Sequence, residues 1–179
     1  AASMGFCVFS NVAIGALVAQ ASGLSRVAVV DFDVHHGNGT QAALAGREGM
    51  LFASIQQWPL WPGTGHPTEP VADNIRNAVS PAGGGAEGWR AAFADLMDQV
   101  RAFAPDLILI SAGFDAHRDD PLGGGAGGQQ LTEDDYAWAT RQIVAAAEAS
   151  ARGRVVSALE GGYDLEALGR SAAAHVRAL

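Results

Sequence analysis

Four short apolar runs, at residues 27–34, 51–55, 106–112 and 154–159, constrain this chain more than any other feature. Each is rich in Val, Ile or Leu, and none alternates strictly between apolar and polar positions. A strand with one wet face alternates; a strand buried on both faces does not. Between the runs lie segments with helical patterning, at roughly 11–21, 39–46, 88–103, 132–151 and 164–176. Thr132 followed by Asp135 suits a helix start, because the hydroxyl can cap and the acid favours the positive end of the helix. Pro105 and Gly153 mark helix exits. Strands alternating with helices predict an α/β fold with a mostly parallel sheet sandwiched by helices, and 179 residues suit one domain.

In such sheets, binding sites form beyond the carboxyl ends of the strands. That rule points to residues 31–38, 56–65, 113–128 and 160–163. Two long loops are also expected. One covers residues 57–87 and is rich in Pro and Gly; the other covers 113–130 and contains a glycine run at 123–128. Long loops inside a compact domain are usually functional or mobile.

The string Asp31-Phe32-Asp33-Val34-His35-His36-Gly37-Asn38-Gly39 carries the clearest chemistry. In extended backbone, residues i, i+2 and i+4 point the same way. Asp31, Asp33 and His35 therefore share one side, and Phe32 and Val34 pack on the other. Two carboxylates and an imidazole at a buried strand end are costly unless a cation binds them. Carboxylate oxygen and imidazole nitrogen are ordinary zinc ligands.

Asp115, just past another buried strand, can supply a third ligand. The charged residues after it, Arg118, Asp119 and Asp120, read mostly as a solvated turn. Glu160-Gly161-Gly162-Tyr163 places a phenol at the sheet's carboxyl edge, where it can donate to a developing oxyanion. Trp61-Pro62-Gly63-Thr64-Gly65, with Trp58 and Pro59 upstream, offers an aromatic wall for a narrow channel. Phe6, taken alone, reads as a core residue.

Composition excludes several classes. A formal charge of −8 disfavours direct nucleic-acid binding, which needs clustered Lys and Arg, but tolerates cationic partners. No apolar run approaches the ~18 residues that span a bilayer. A single cysteine, Cys7, forbids an internal disulfide and fits a reducing compartment such as the cytoplasm.

Together these strings resemble the histone deacetylase family, which includes bacterial deacetylase-like and acetylpolyamine amidohydrolases. The matching segments run in the family's order: Gly5-Phe6-Cys7 with Asn11, Asp31 through Gly39, Pro62 through Gly65, Ser111 through Leu122, and Glu160 through Tyr163. The tail His117-Arg118-Asp119-Asp120-Pro121 resembles the class II-like branch. The resemblance implies zinc held by Asp33, His35 and Asp115, with Tyr163 polarising the acetyl carbonyl. It implies a potassium ion near Asp31, Asp33, His35, Ser54 and the carbonyl of Ile55. Gly5, Phe6, Trp61, Leu122 and Gly162 would line the substrate channel. Asp31 and Asn38 would orient the two members of a His-His dyad.

The family places that dyad before Gly5-Phe6-Cys7, so His35-His36 is not it. The expectation is therefore the carboxy-terminal portion of a deacetylase domain. It should show a metal site, an exposed sheet edge, and activity on acetyl-lysine or acetylpolyamine only in a longer chain. Oligomerisation is left open. Gln56 stands where the family often has His, and the glycine run at 123–128 is longer than usual. Two rival readings are a binuclear manganese ureohydrolase, which needs more bridging carboxylates, and a non-catalytic acyl-lysine or metal-binding module.

Overall fold

Each apolar run becomes a strand, and a fifth strand joins them. The computed structural model describes residues 3–123 and 127–179. Among these, the elements are, in order, α1 (Asn11–Ala21), β1 (Val27–Asp31), α2 (Asn38–Leu44), β2 (Met50–Trp58), β3 (Ile75–Pro81), α3 (Gly85–Phe103), β4 (Leu107–Ala112), α4 (Glu133–Ser150), β5 (Val155–Leu159) and α5 (Leu165–Ala178). The sheet has the order β3-β2-β1-β4-β5, and every pairing is parallel.

The lack of alternation in the apolar runs follows from burial on both faces. In β1, Val27 and Val29 join a core with Val12, Ala13 and Ala16 of α1 and Leu44 of α2. Ala28 and Val30, pointing the other way, join Phe93 and Met97 of α3 and Ile143 of α4. Helices thus cover both sheet faces. The apolar stripe of α3 comprises Trp89, Phe93, Leu96, Met97 and Val100, at helical spacing. Each such side chain contributes roughly 1.5–3 kcal/mol when fully buried. The helix ends at Ala104 in the left-handed region (φ 49°), immediately before Pro105. At the start of α4, the Asp135 carboxylate accepts from the Thr132 N–H at 2.7 Å and from its hydroxyl at 2.9 Å.

Three expectations are corrected. Residues 57–87 are not one loop: β2 runs on to Trp58, and β3 forms within the segment. β3 reads Ile-Arg-Asn-Ala-Val-Ser-Pro and lies at the sheet edge, so three of its seven residues are polar and no apolar run betrays it. Second, β1 stops at Asp31 rather than running through Val34. Third, Asp120 is not solvated: it is 2% exposed. The glycine run expected at 123–128 falls partly outside the described residues. β3 and β5 are the edge strands, and Val156 and Leu159 of β5 are exposed.

Candidate metal centre

Strand order decides where the site lies. From β1 the chain moves to β2 and β3 on one side, while β4 and β5 occupy the other. β1 and β4 are therefore neighbours across the point where the order reverses. In open α/β sheets such a reversal point is where a binding crevice forms, beyond the carboxyl ends of both strands. Asp31 lies opposite Ser54 on one side and Ser111 on the other. The residues just past β1 and just past β4 meet in that crevice.

Ligand atoms of Asp33, His35 and Asp115 all lie within 4.8 Å of one another. His35 Nδ1 is 3.0 Å from Asp33 Oδ1 and 3.0 Å from Asp115 Oδ2. Backbone donors also hold both carboxylates. Val34 N–H donates to Asp115 Oδ1 at 3.0 Å, His35 N–H to Asp33 Oδ1 at 2.8 Å, and Gly161 N–H to Asp33 Oδ2 at 2.9 Å. Asp31 stands behind, accepting from Asp33 N–H at 3.1 Å. The turn after Asp31 replaces the extended geometry expected from the sequence, yet Phe32 and Val34 still point into the core.

Glycine is required at two walls of this crevice. A Cβ on Gly113 would overlap the Asp33 carboxylate, and one on Gly161 would overlap the Asp115 carboxylate. Both backbones approach the ligands more closely than any side chain allows.

The electrostatics of the cluster favour a bound cation. Burial, then the neighbouring Asp33 charge, pushes the Asp31 carboxyl well above its usual range. The same two causes push Asp115 up to about 7, against the opposing pull of His35. Burial pushes the His35 imidazole down. Hydrogen bonds donated to Asp115 and Asp33, with the charges of those carboxylates, outweigh burial and raise it to about 10. Protons on these groups offset carboxylate charge that the burial does not tolerate. A divalent cation would do so better, and two carboxylates with one imidazole are a donor set that zinc accepts.

Tyr163 stands at the rim, 39% exposed, with its ring edge-on to Phe6 at 6.1 Å between centroids. Burial, followed by the charges of Asp115 and Asp33, pushes its phenol up to about 12. The hydroxyl therefore keeps its proton and can donate. Phe6 is exposed, not the core residue that it suggests alone. Trp61 and Leu122 are exposed as well. Gly5 and Gly162 both adopt positive φ, 62° and 133°.

His36 turns away from the cluster. Its Nδ1 is 2.8 Å from Thr64 Oγ1 and its Nε2 is 2.9 Å from Gln41 Oε1. Gln56 is buried; it accepts from the Ser54 hydroxyl at 2.8 Å and donates to the Gly65 carbonyl at 2.6 Å. Ile55 is also buried. Asn38 opens α2 and donates to Met4 Sδ at 3.0 Å. Asp120 is the residue that the sequence reading missed. Its signal was available, since an Asp just before Pro commonly hydrogen-bonds the N–H two residues on.

Comparison with known proteins gives a consistent result. The profile of the histone deacetylase domain matches residues 1–179. The chain is 40% identical over 195 residues to a type-2 histone deacetylase 2 of Dictyostelium discoideum, covering all of this chain and 11% of that protein. It is 44% identical over 181 residues to the chloroplastic histone deacetylase 10 of Oryza sativa subsp. japonica, covering 98% of this chain and 40% of that protein. An acetylpolyamine aminohydrolase crystal structure from Burkholderia pseudomallei superimposes with a TM-score of 0.87 at 31% identity. That match covers 98% of this chain and 51% of the other. The chain thus spans about half or less of these relatives.

Proposed function

The chain belongs to the histone deacetylase family, and from that premise we propose that it carries the metal centre of a zinc-dependent amidohydrolase that releases acetate from an N-acetyl amine. The observation that carries this reading is the convergence of Asp33, His35 and Asp115 within 4.8 Å at the crevice between β1 and β4. Asp33, His35 and Asp115 would hold the zinc. When bound there, zinc supplies a Lewis acid for the acetyl carbonyl and lowers the pKa of water. The reaction breaks the amide C–N bond; the water oxygen goes to acetate and its protons to the products.

Tyr163 donates its phenolic hydrogen to the carbonyl oxygen as negative charge develops there. The raised phenol pKa, about 12, keeps that hydrogen in place at neutral pH. Asp31, buried opposite Ser54, would hold a potassium ion together with Asp33, His35, Ser54 and the Ile55 carbonyl. Its burial and its raised pKa support a second cation there. His36, spent on Thr64 and Gln41, is not the general base. The resemblance assigns that role to a separate His pair.

The substrate channel would be walled by Phe6 and Trp61, with Gly5, Leu122 and Gly162 close to the bound chain. An acidic protein suits a cationic substrate, either acetyl-lysine in a protein or an acetylated polyamine. No helix among the described residues is long and apolar enough to cross a membrane. A cytoplasmic location fits the single cysteine; two relatives carry a chloroplast location in their names.

The test is acetate release by metal-free full-length protein titrated with zinc. An acetyl-lysine peptide and a monoacetylated diamine are assayed in parallel. Release from at least one, at one zinc per chain, is expected. Zinc binding with no acetate from either would sink the reading in favour of a non-catalytic module. Two manganese ions per chain would favour a ureohydrolase.

A further inference from the structure

The Asp120 carboxylate receives four backbone N–H groups from two separate loops. Oδ1 accepts from Leu122 at 2.8 Å and from Gly123 at 3.2 Å. Oδ2 accepts from Tyr163 at 2.6 Å and from Asp164 at 3.3 Å. The first loop follows β4 and the second follows β5, so one buried side chain joins the tips of both strands. An ionised carboxylate is suited to this because both of its oxygens accept and neither donates.

The turn bearing Asp120 is itself clamped from behind. The Asp120 N–H donates to the His117 carbonyl at 2.9 Å. The fully buried His117 ring accepts from Asp119 N–H at Nδ1 (3.1 Å) and lies 3.3 Å from Glu133 Oε2 through Nε2. Arg170 of α5 bonds Asp119 Oδ2 at 3.1 Å and reaches Glu133 Oε1 at 3.4 Å. α4 and α5 thereby hold the turn so that Asp120 aims inward.

Among the described residues, the Tyr163 side chain has an edge-on contact with Phe6 and no hydrogen bond. Its ring is 39% exposed, and its aromatic neighbour Phe6 is 88% exposed. Its location is fixed through its backbone instead. We propose that Asp120 is a positioning residue that holds Tyr163 and Leu122 on one carboxylate, so that the hydrogen-bond donor and the channel residue are placed together. This rests on the deacetylase reading of the site. Asp120 touches no reacting atom and acts through the Tyr163 backbone.

The experiment is Asp120→Asn in zinc-loaded full-length protein. An amide has one accepting oxygen, and its NH2 group would face two N–H donors, so one of the two loops must be released. We expect kcat to fall at least tenfold with zinc affinity unchanged. In a Tyr163→Phe background the same substitution should cost at least threefold less, because the hydroxyl that it misplaces is already gone and only the placement of Leu122 remains to be lost. An equal loss in both backgrounds overturns the proposal.

Amide hydrogen exchange supplies a readout independent of activity. In Asp120→Asn, exchange should accelerate at Tyr163 and Asp164, or at Leu122 and Gly123, while β1 and β4 amides keep their protection. Unchanged exchange at all four overturns the proposal. In the wild-type protein, Leu122 and Tyr163 amides should show matching protection, since both depend on one carboxylate; a difference beyond tenfold also overturns it. If the wild-type protein releases no acetate, the deacetylase reading fails, and the exchange measurements still decide the role of Asp120.

Discussion

The backbone N–H of Gly161 donates to Asp33 Oδ2 at 2.9 Å, across 128 residues of sequence. That bond ties the tip of β5 to the ligand turn after β1, and it brings the Gly161 Cα against the Asp115 carboxylate as well. A glycine is thus a structural part of the candidate metal centre.

Gly161→Ala should accordingly damage the centre while leaving the fold. The new methyl would overlap the carboxylates of both Asp115 and Asp33. Removing a group that orients a ligand typically weakens metal affinity about 10–100-fold. Here the ligands themselves must move, so the loss should reach the upper end. Zinc titration calorimetry with circular dichroism as the fold check decides it; wild-type affinity would show that the close approach is not required.

Zinc binding should release protons, and affinity should rise with pH. His35 sits at about 10 and Asp115 at about 7 in the metal-free protein. Both lie above their usual values, so the metal-free fold gains stability from bound protons at low pH. For Asp115 that gain is lost as pH rises through about 7, and for His35 as pH rises through about 10. Zinc requires both groups deprotonated and competes with those protons. Calorimetry in buffers of different ionisation enthalpy should report net proton release near pH 7. A pH-independent affinity would contradict this assignment of protons.

Tyr163→Phe should reduce kcat about a hundredfold or more on the full-length enzyme. The loss of one oxyanion donor typically costs about 2.7–4 kcal/mol in the barrier. Zinc affinity should stay near wild type, because the phenol is not among the clustered ligands. Wild-type kcat on an acetyl-lysine peptide would remove Tyr163 from the chemistry.

His175 should make stability fall below about pH 6.5. Burial lowers its pKa from 6.5, so the native protein holds the ring neutral. Its Nδ1 is 2.7 Å from Thr140 Oγ1 and its Nε2 is 2.8 Å from Ser157 Oγ, joining α5 to α4 and β5. Thr140 spends its only hydrogen on the Tyr136 carbonyl, so it accepts from Nδ1–H, leaving Nε2 to accept from Ser157. Unfolded chains bind the proton more readily. The stabilisation is therefore complete above about 6.5 and is lost as pH falls through the lower native value. His175→Phe keeps ring contacts with Phe32 and Phe114 but cannot titrate. Urea midpoints of the two proteins should converge as pH drops from 7.5 to 5.5; a constant gap between them would refute the idea.

Much of the fold could be read from local pattern because burial on both faces leaves an apolar run that periodicity detects. The strands containing Val29, Phe52, Leu109 and Val156 were all located in that way. β3 was missed for the complementary reason. An edge strand needs no second apolar face, so Arg76, Asn77 and Ser80 hide it among turn residues. Asp120 was misread because a charged triplet is ordinarily solvated. Only the approach of Leu122, Gly123, Tyr163 and Asp164 supplies the four donors that make its burial favourable.

By itself, the sequence determined the types of element and offered, in Asp33 and His35 at a strand end, carboxylate and imidazole donors that suit a cation. Those depend on residue type and short-range spacing, which the chain carries locally. The tertiary structure decided what meets what. Strand order put β4 beside β1, bringing Asp115 to Asp33 and His35 across 80 residues and carrying Gly161 in from β5. Burial then set the electrostatics. The same carboxylates in water would ionise without cost; enclosure raises Asp115, while the two carboxylates beside His35 raise its imidazole against the effect of burial, and the cluster as a whole favours a cation.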